Sequence, residues 1–174
     1  MREGTLRTVP GSASGAKALA MATVFTNFIY EADISVGPVG NAGLIFRVSK
    51  PDIGADTYEG YYAGISSERS ELEVGCAANS WRGITNVPMK FVANTVYHLK
   101  VQALGARLRI FVGDNPRPVA DVVDDQYAGG MIGVRDYCGD GNRSYSSFAK
   151  LTATEMARES QPTSGTGLSG QPGP

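Results

Sequence analysis

Residues 23–50 read TVFTNFIYEADISVGPVGNAGLIFRVSK, two stretches in which apolar and polar residues alternate, separated by a turn rich in glycine and proline. Alternation with a period of two is typical of β-strands with one buried face, so this segment predicts a β-hairpin. Folding it about Val39 places apolar residues on one face, toward the core: Tyr30, Ala32, Ile34 and Val36 opposite Val48, Phe46, Leu44 and Ala42. The other face places Glu31 across from Arg47, an ion pair of the kind that stabilises neighbouring strands. A slip by one residue would bury these charges, so the pattern predicts this register.

Length and composition predict one soluble β-rich domain. The chain has 174 residues, enough for a single buried core, with 22 glycines and 9 prolines between short apolar runs. A net charge of −1 without a basic cluster argues against nucleic acid and anionic membrane surfaces as partners. No apolar run approaches the roughly 20 residues needed to span a bilayer.

Further alternating stretches extend the prediction to the whole domain. Strands are predicted at residues 5–9, 17–21, 58–65, 71–76, 95–112 (as a hairpin), 119–123, 131–137 and 146–154. In the second hairpin, Leu72, Val74 and Cys76 are expected to point inward and Glu73 outward, and Trp81 is assigned to the polar loop that follows. Strands at this spacing, without intervening helices, predict two packed antiparallel sheets.

The ends of the chain differ from the rest in composition. Residues 1–158 are predicted to form the domain, and residues 159–174, ESQPTSGTGLSGQPGP, a flexible linker or tail. The first 15 residues contain no apolar stretch of the kind found in a signal peptide. Residues 142–144 form an Asn-Arg-Ser glycosylation sequon.

Several strand phrases carry a family resemblance. They are, in chain order, FIYEAD (28–33), GNAGLIFR (40–47), GYYAGI (60–65), YHLKV (97–101) and GMIGVR (130–135). In this order they resemble concanavalin A-like jelly-roll domains, above all laminin-G-like and levanase-associated carbohydrate-binding modules and 3-keto-disaccharide hydrolase-like domains. The resemblance implies an all-β jelly-roll sandwich. Many of these relatives carry Phe-Asp-Asn near the last strand, whereas this chain has Ala149 after Phe148, so the calcium ligand expected from that Asp is missing.

Carboxylate spacing argues against a glucanase. Retaining glucanases of this fold place two catalytic carboxylates about 5 Å apart, from alternate residues of one strand. Here Glu31 and Asp33 have that spacing, but the further Glu is absent and an ion pair with Arg47 would keep Glu31 ionised. No catalytic residue is predicted, and a non-catalytic role is favoured over an enzyme.

Metal sites and cofactors find little support in the sequence. His98 is the single histidine, so a site with two histidine ligands is excluded, and its strand phrase indicates a structural role. Neither cysteine has zinc-site spacing. The segment 138–142 suggests calcium only weakly, because it lacks further acidic positions. No cofactor is therefore predicted.

Cys76 and Cys138 leave two alternatives open. They form one disulfide, or they are two separate buried thiols, because spacing alone cannot place them in contact. A disulfide is predicted, since each follows an inward-facing strand segment in a protein expected to be secreted.

Sugar recognition needs a flat aromatic ring for C–H faces and charged or amide groups for hydroxyls. The candidate ligand-binding residues are Arg47, Glu31, Tyr61, Glu73, Trp81, Asp136 and Tyr137. Arg47 is predicted to be the principal contact, oriented by Glu31, with Trp81 and Asp136 in rim loops as the alternative location.

The resemblance then implies a function. The chain is predicted to be a non-catalytic carbohydrate-binding module on a secreted glycoside hydrolase, with plant or microbial polysaccharide, such as fructan or other chain ends, as ligand and the covalently linked catalytic domain as partner. The alternatives are a glycoside hydrolase of the 3-keto-disaccharide type and an adhesion module of the laminin-G type.

Overall fold

The computed structural model describes residues 4–8, 15–139 and 145–157. Within these ranges the chain forms twelve strands: β1 Leu6–Arg7, β2 Gly15–Phe25, β3 Phe28–Val36, β4 Asn41–Ser49, β5 Glu59–Ser66, β6 Glu71–Ala78, β7 Trp81–Pro88, β8 Val96–Leu104, β9 Arg107–Val112, β10 Ala120–Val123, β11 Gly130–Tyr137 and β12 Ser146–Glu155. The sequon at 142–144, most of the 138–142 segment, the domain limit at 158 and the tail at 159–174 lie outside the described residues.

The strands form two six-stranded antiparallel sheets. Sheet A has the order β1-β12-β3-β8-β9-β10 and sheet B the order β2-β11-β4-β5-β6-β7. The all-β, two-sheet sandwich predicted from the alternating pattern is confirmed, as are the β5–β6 and β8–β9 hairpins. In the described ranges, no helix has the length and apolar character needed to cross a membrane.

The first predicted hairpin is wrong, because β3 and β4 belong to different sheets. Ile34 of β3 pairs with strands β8 and β12, whereas Leu44 of β4 pairs with strands β5 and β11. The apolar faces of both strands do line the core, but they face each other across the sandwich. Alternation identifies the buried face of a strand and not its hydrogen-bonded partner, so a connection between sheets has the same pattern as a hairpin.

The core lies between the inner faces of the two sheets. Phe28, Phe46 and Tyr61 form an aromatic row across it, with ring centroids 6.0 Å apart for the first pair and 5.5 Å for the second. Such pairs contribute about 0.5–1.5 kcal/mol beyond the burial of their area. The inward residues predicted for β6, Leu72, Val74 and Cys76, are confirmed.

Strand β7 is not predicted by the sequence pattern. Trp81 is the first residue of this strand, which pairs with β6, and not part of a loop. A register shift opposite Val74 leaves Ile84 unpaired, so Ile84 and Val87 both pack on the core although they are three positions apart. The bulge breaks the period-two pattern that would have identified the strand.

The outer face of sheet B is partly covered by the connection between β4 and β5. Lys17 of β2 donates from Nζ to the carbonyls of Asp52 and Gly54 in this connection. A small second apolar cluster, which includes Ile45 and Tyr62, lies on the same outer face. Burial on both faces explains why β4 and β5 are buried along almost their whole length.

Candidate functional site

The candidate site lies on the outer face of sheet B and is built around a buried arginine. Arg135 comes from β11, Asn41 from β4, Tyr62 from β5 and Glu73 from β6, four neighbouring strands. All four residues are buried. Buried polar groups are retained when they are hydrogen-bonded, so this set forms an ordered polar centre in the sheet.

Asn41 joins the other three side chains. Its Oδ1 accepts from Tyr62 Oη at 3.0 Å and from Arg135 Nη1 at 2.9 Å, and its Nδ2 donates to Glu73 Oε2 at 3.3 Å. Burial raises the pKa of the Tyr62 hydroxyl, so it stays protonated and donates to Asn41 at neutral pH.

An ion pair is present at each end of this hydrogen-bond network, one at Arg135 and one at Glu73. Arg135 Nη2 lies 2.7 Å from Asp56 Oδ1, in the connection between β4 and β5. Glu73 pairs with Arg69, whose side chain is 52% exposed. The network therefore runs from a buried cation to charged groups that solvent, or a ligand, reaches.

Aromatic rings surround the same guanidinium. Arg135 Cζ lies 4.7 Å from the ring centroid of Tyr62, 5.6 Å from that of Trp81 and 5.3 Å from that of Tyr137. Trp81 packs edge-on against Tyr62 and remains 38% exposed. Cation–π contacts hold an accessible indole ring in a defined orientation, which suits stacking on the C–H face of a sugar.

Two buried polar atoms beside this centre have no hydrogen-bond partner within the described part of the chain. They are Arg135 Nε and the hydroxyl of Tyr58; a third, Asp56 Oδ1, lacks a hydrogen bond but forms the ion pair with Arg135. Tyr58 belongs to the same outer cluster as Tyr62. A water molecule or a ligand hydroxyl beside either atom would satisfy it.

The structure brings together three of the predicted site residues: Glu73, Trp81 and Tyr137. Asn41 and Arg135 are not among the residues that the sequence pattern predicts, because Asn41 adjoins the predicted turn and Arg135 ends a strand phrase. The available signal was an arginine in an otherwise apolar strand, GMIGVR. Such a residue requires a buried partner, and the partner comes from a different strand.

Arg47 does not lie at this site. It is 1% exposed, and its guanidinium donates to three backbone carbonyls: Thr26 O at 2.7 and 3.2 Å, Gly105 O at 2.8 Å and Tyr127 O at 2.9 Å. Desolvation lowers the pKa of Arg47. Its φ of 52° marks a bulge in β4 that turns the side chain toward the end of the sandwich. Arg47 is therefore buried away from the outer face of sheet B, and its role as the principal ligand contact stays a prediction.

Glu31 lies on the opposite side of the molecule, on the outer face of sheet A. Its Oε2 is 3.5 Å from His98 Nε2, while His98 Nδ1 is 2.9 Å from Asp33 Oδ1. Lys150 Nζ lies 2.9 Å from the other oxygen of Asp33. The predicted pair of Glu31 with Arg47 is replaced by cross-strand contacts within sheet A.

Tyr61 and Asp136 also point away from the outer face of sheet B. Tyr61 is a core residue whose hydroxyl donates to Asp124 Oδ1 at 2.6 Å. Asp136 follows Arg135 in β11, so its side chain faces the other way, and its Oδ2 accepts from Thr8 Oγ1 at 3.1 Å.

Cys76 and Cys138 are both buried and are not bonded to each other, so the predicted disulfide is wrong in this structure. Cys76 pairs with Tyr61 of β5, which in turn pairs with Phe46 of β4, so Cys76 and Phe46 lie at the same height in sheet B. Cys138 directly follows Tyr137, which pairs with Asn41 at the other end of β4. Five residues of strand separate these levels, roughly 16 Å, and a disulfide needs Cα atoms within about 7 Å.

Within residues 4–8, 15–139 and 145–157, no group of three or more His, Cys, Asp and Glu side chains is arranged to hold a metal ion.

Comparisons with known proteins agree with this architecture. The family profile described as the 3-keto-alpha-glucoside-1,2-lyase-like domain matches residues 1–142. A levanase from Bacillus sp. (strain L7) is 29% identical over 150 residues, which cover 84% of this chain and 15% of the levanase. The chain thus spans about 15% of the length of that curated relative.

Solved structures confirm the jelly-roll fold. The carbohydrate binding module CBM66 from Bacillus subtilis has a TM-score of 0.70 and 24% identity, covering 87% of this chain and 91% of the module. A putative glycosyl hydrolase from Parabacteroides distasonis has a TM-score of 0.61 and 14% identity, covering 88% of this chain and 87% of that protein.

Proposed function

We propose that this chain, which belongs to the 3-keto-alpha-glucoside-1,2-lyase-like domain family, is a carbohydrate-binding module that binds its ligand on the outer face of sheet B. The observation that carries the proposal is the exposed Trp81 ring held over Arg135, beside the hydrogen-bonded Glu73. A rigid aromatic surface next to fixed polar groups is the combination that sugar recognition requires.

The chemistry of binding follows from the same residues. Trp81 and the half-buried Tyr137 offer ring faces to the C–H surface of a sugar. Arg69 donates to both Glu71 and Glu73, so its guanidinium is already oriented when hydroxyl groups approach. Preorganised groups lose little conformational entropy on binding, which favours affinity.

We further propose a ligand and a parent protein. The relative named levanase motivates levan, a fructan, as the first polysaccharide to test, and a secreted glycoside hydrolase as the parent protein. The similarity to a carbohydrate binding module supports a non-catalytic role.

The family description favours one second candidate, a lyase or hydrolase acting on 3-keto-glycosides. Asp56 and Glu73 are the carboxylates of the site, and both are engaged by arginines. Release of sugar from a 3-keto-disaccharide by the purified protein would establish this activity in place of simple binding.

The proposal is tested by affinity electrophoresis in gels that contain levan, inulin, arabinan, xylan or β-glucan. We expect retardation by at least one polysaccharide, and at least tenfold weaker binding, about 1.4 kcal/mol, for Trp81→Ala. Val96→Ala, which removes an exposed apolar side chain from sheet A, is the matched control and should bind normally. Equal binding by the Trp81 variant, or no retardation by any polysaccharide, would reject the proposal.

A further inference from the structure

A cavity of about 370 Å³ opens at one end of the sandwich and is lined by none of the residues of the Trp81 site. Its walls come from three connections, represented by Thr26 and Asn27 between β2 and β3, Gly105 and Ala106 between β8 and β9, and Asp125 and Tyr127 between β10 and β11. The volume falls in the range of roughly 300–1,000 Å³ that is typical of ligand pockets.

The walls are held in place by Arg47, which also lines the cavity. One guanidinium donates to the carbonyls of Thr26, Gly105 and Tyr127, one in each of the three connections. The Asn27 Oδ1 atom also accepts from the Gly105 amide at 2.9 Å. Loops that form a binding pocket lose entropy when they are ordered, and here that ordering exists before any ligand arrives.

The groups around the opening suit hydroxyls. Asp125 is exposed and forms no hydrogen bond or ion pair with any described residue, so its carboxylate can accept two bonds. The Asn27 amide nitrogen remains to donate once Oδ1 is engaged by Gly105. A Cβ added to Gly105 would meet nothing within 4 Å, so the space beside this turn is open.

The charged groups that line the cavity favour a neutral ligand over an anionic one. The cation of Arg47 is covered by three carbonyl oxygens and is 1% exposed, so it offers no direct contact to an anion. The charged group that a ligand meets in this cavity is the Asp125 carboxylate, which repels carboxylates and phosphates. Vicinal hydroxyls bind a carboxylate well, and the Tyr127 ring adds an apolar surface.

We propose that this cavity is a second carbohydrate subsite, which takes one neutral sugar residue between Asp125, Asn27 and Tyr127. The subsite shares its ligand class with the proposed function but none of its residues. It would let the domain contact one polysaccharide at two places, or two chains at once, which raises the overall affinity.

The test is an amide-resolved NMR titration of the whole chain with D-fructose, D-glucose, D-xylose and L-arabinose as probes. We expect the amides of Gly105, Ala106 and Asp125 to shift in a saturable manner with at least one probe. The indole N–H signal of Trp81 reports binding at the Trp81 site in the same spectra. Absence of binding at one site is therefore distinguished from absence of binding at the other.

Two variants make the result specific. Asp125→Ala should weaken the titration of the Gly105 amide at least tenfold, while Trp81→Ala should leave it unchanged. Because Asp125 is exposed and forms no hydrogen bond or ion pair with any described residue, its replacement should not disturb folding, which the melting temperature verifies. The proposal is overturned if no cavity amide shifts with any probe, if Asp125→Ala titrates like the unmodified protein, or if Trp81→Ala abolishes the shifts at Gly105.

Discussion

The guanidinium of Arg135 stacks on the ring of Tyr62, 4.7 Å from Cζ to the ring centroid, and both side chains donate to the same atom, Asn41 Oδ1. Two donors that share one acceptor fix each other's position. Because Trp81 packs on both Tyr62 and Arg135, the orientation of the exposed indole depends on this buried pair.

Replacing Arg135 by Ala should therefore destabilise the domain and loosen the Trp81 ring. The variant leaves Asp56 unpaired and Asn41 without one donor, and we expect the free energy of unfolding to fall by about 3 kcal/mol. Urea unfolding followed by circular dichroism measures it. Arg82→Ala is the control, because its ion pair with Asp124 is more exposed and should be worth less than about 1 kcal/mol. Similar losses for both variants would show that the Arg135 network is not a stabilising unit.

Arg47→Met should destabilise the protein without weakening glycan binding at the Trp81 site. The carbonyls of Thr26, Gly105 and Tyr127 would lose their donor, which we expect to cost at least about 3 kcal/mol in the free energy of unfolding. Arg47→Lys should lose nearly as much, since one ammonium cannot reproduce four hydrogen bonds. A stable Arg47→Met variant that no longer binds any glycan would instead support Arg47 as a ligand contact.

Particular residues show how far the sequence could predict this fold and site. Alternation around Ile34 and Leu44 correctly identified the buried faces, because burial depends on a local pattern. It could not identify strand partners, so it placed Glu31 beside Arg47 although the two lie on different sheets. A positive φ at Arg47 reverses the direction of its side chain, and the residue pattern around it carries no sign of that bulge.

The sequence pattern named residues of the candidate site only where one residue type stands out within its own segment. Glu73 was selected because it is a carboxylate on a predicted hairpin, and Trp81 because it is the single tryptophan of the chain. Arg135 and Asn41 were missed, because their importance comes from a contact between side chains that lie 94 positions apart in the chain. Non-local pairing of this kind cannot be read from local periodicity.

Asp33 should make the stability of the domain depend on pH in the acid range. Its pKa is lowered by hydrogen bonds from Lys150 and then from His98. A carboxyl group with a depressed pKa in the folded state contributes stability above its unfolded pKa, near 3.9, and that contribution is lost as the pH falls through the folded value.

We therefore expect the free energy of unfolding to decrease as the pH falls from about 4 to 2, and to decrease less for Asp33→Asn. Urea unfolding at successive pH values measures the difference. Asp114→Asn, at an exposed turn, serves as the control and should follow the unmodified protein. An Asp33→Asn variant with unchanged acid dependence would show that the contacts of Lys150 and His98 have no energetic effect.

The two cysteines should behave as separate thiols. Burial raises the pKa of the Cys76 thiol, and Cys138 is buried at a different level of the sheet. Alkylation in denaturant without reductant, followed by mass measurement, should label both residues. A chain that takes up no label under these conditions would contain the Cys76–Cys138 disulfide, and the strand register of sheet B would need revision.

The most direct test of the central claim is the fluorescence of Trp81, the single tryptophan of the chain, during titration with levan and the other polysaccharides. If the outer face of sheet B is the binding surface, the emission should shift and acrylamide quenching should decrease, and both should saturate at the concentration at which the protein is retarded in the affinity gel. A polysaccharide that retards the protein while the emission and quenching of Trp81 stay unchanged would show that the binding surface lies elsewhere on the molecule.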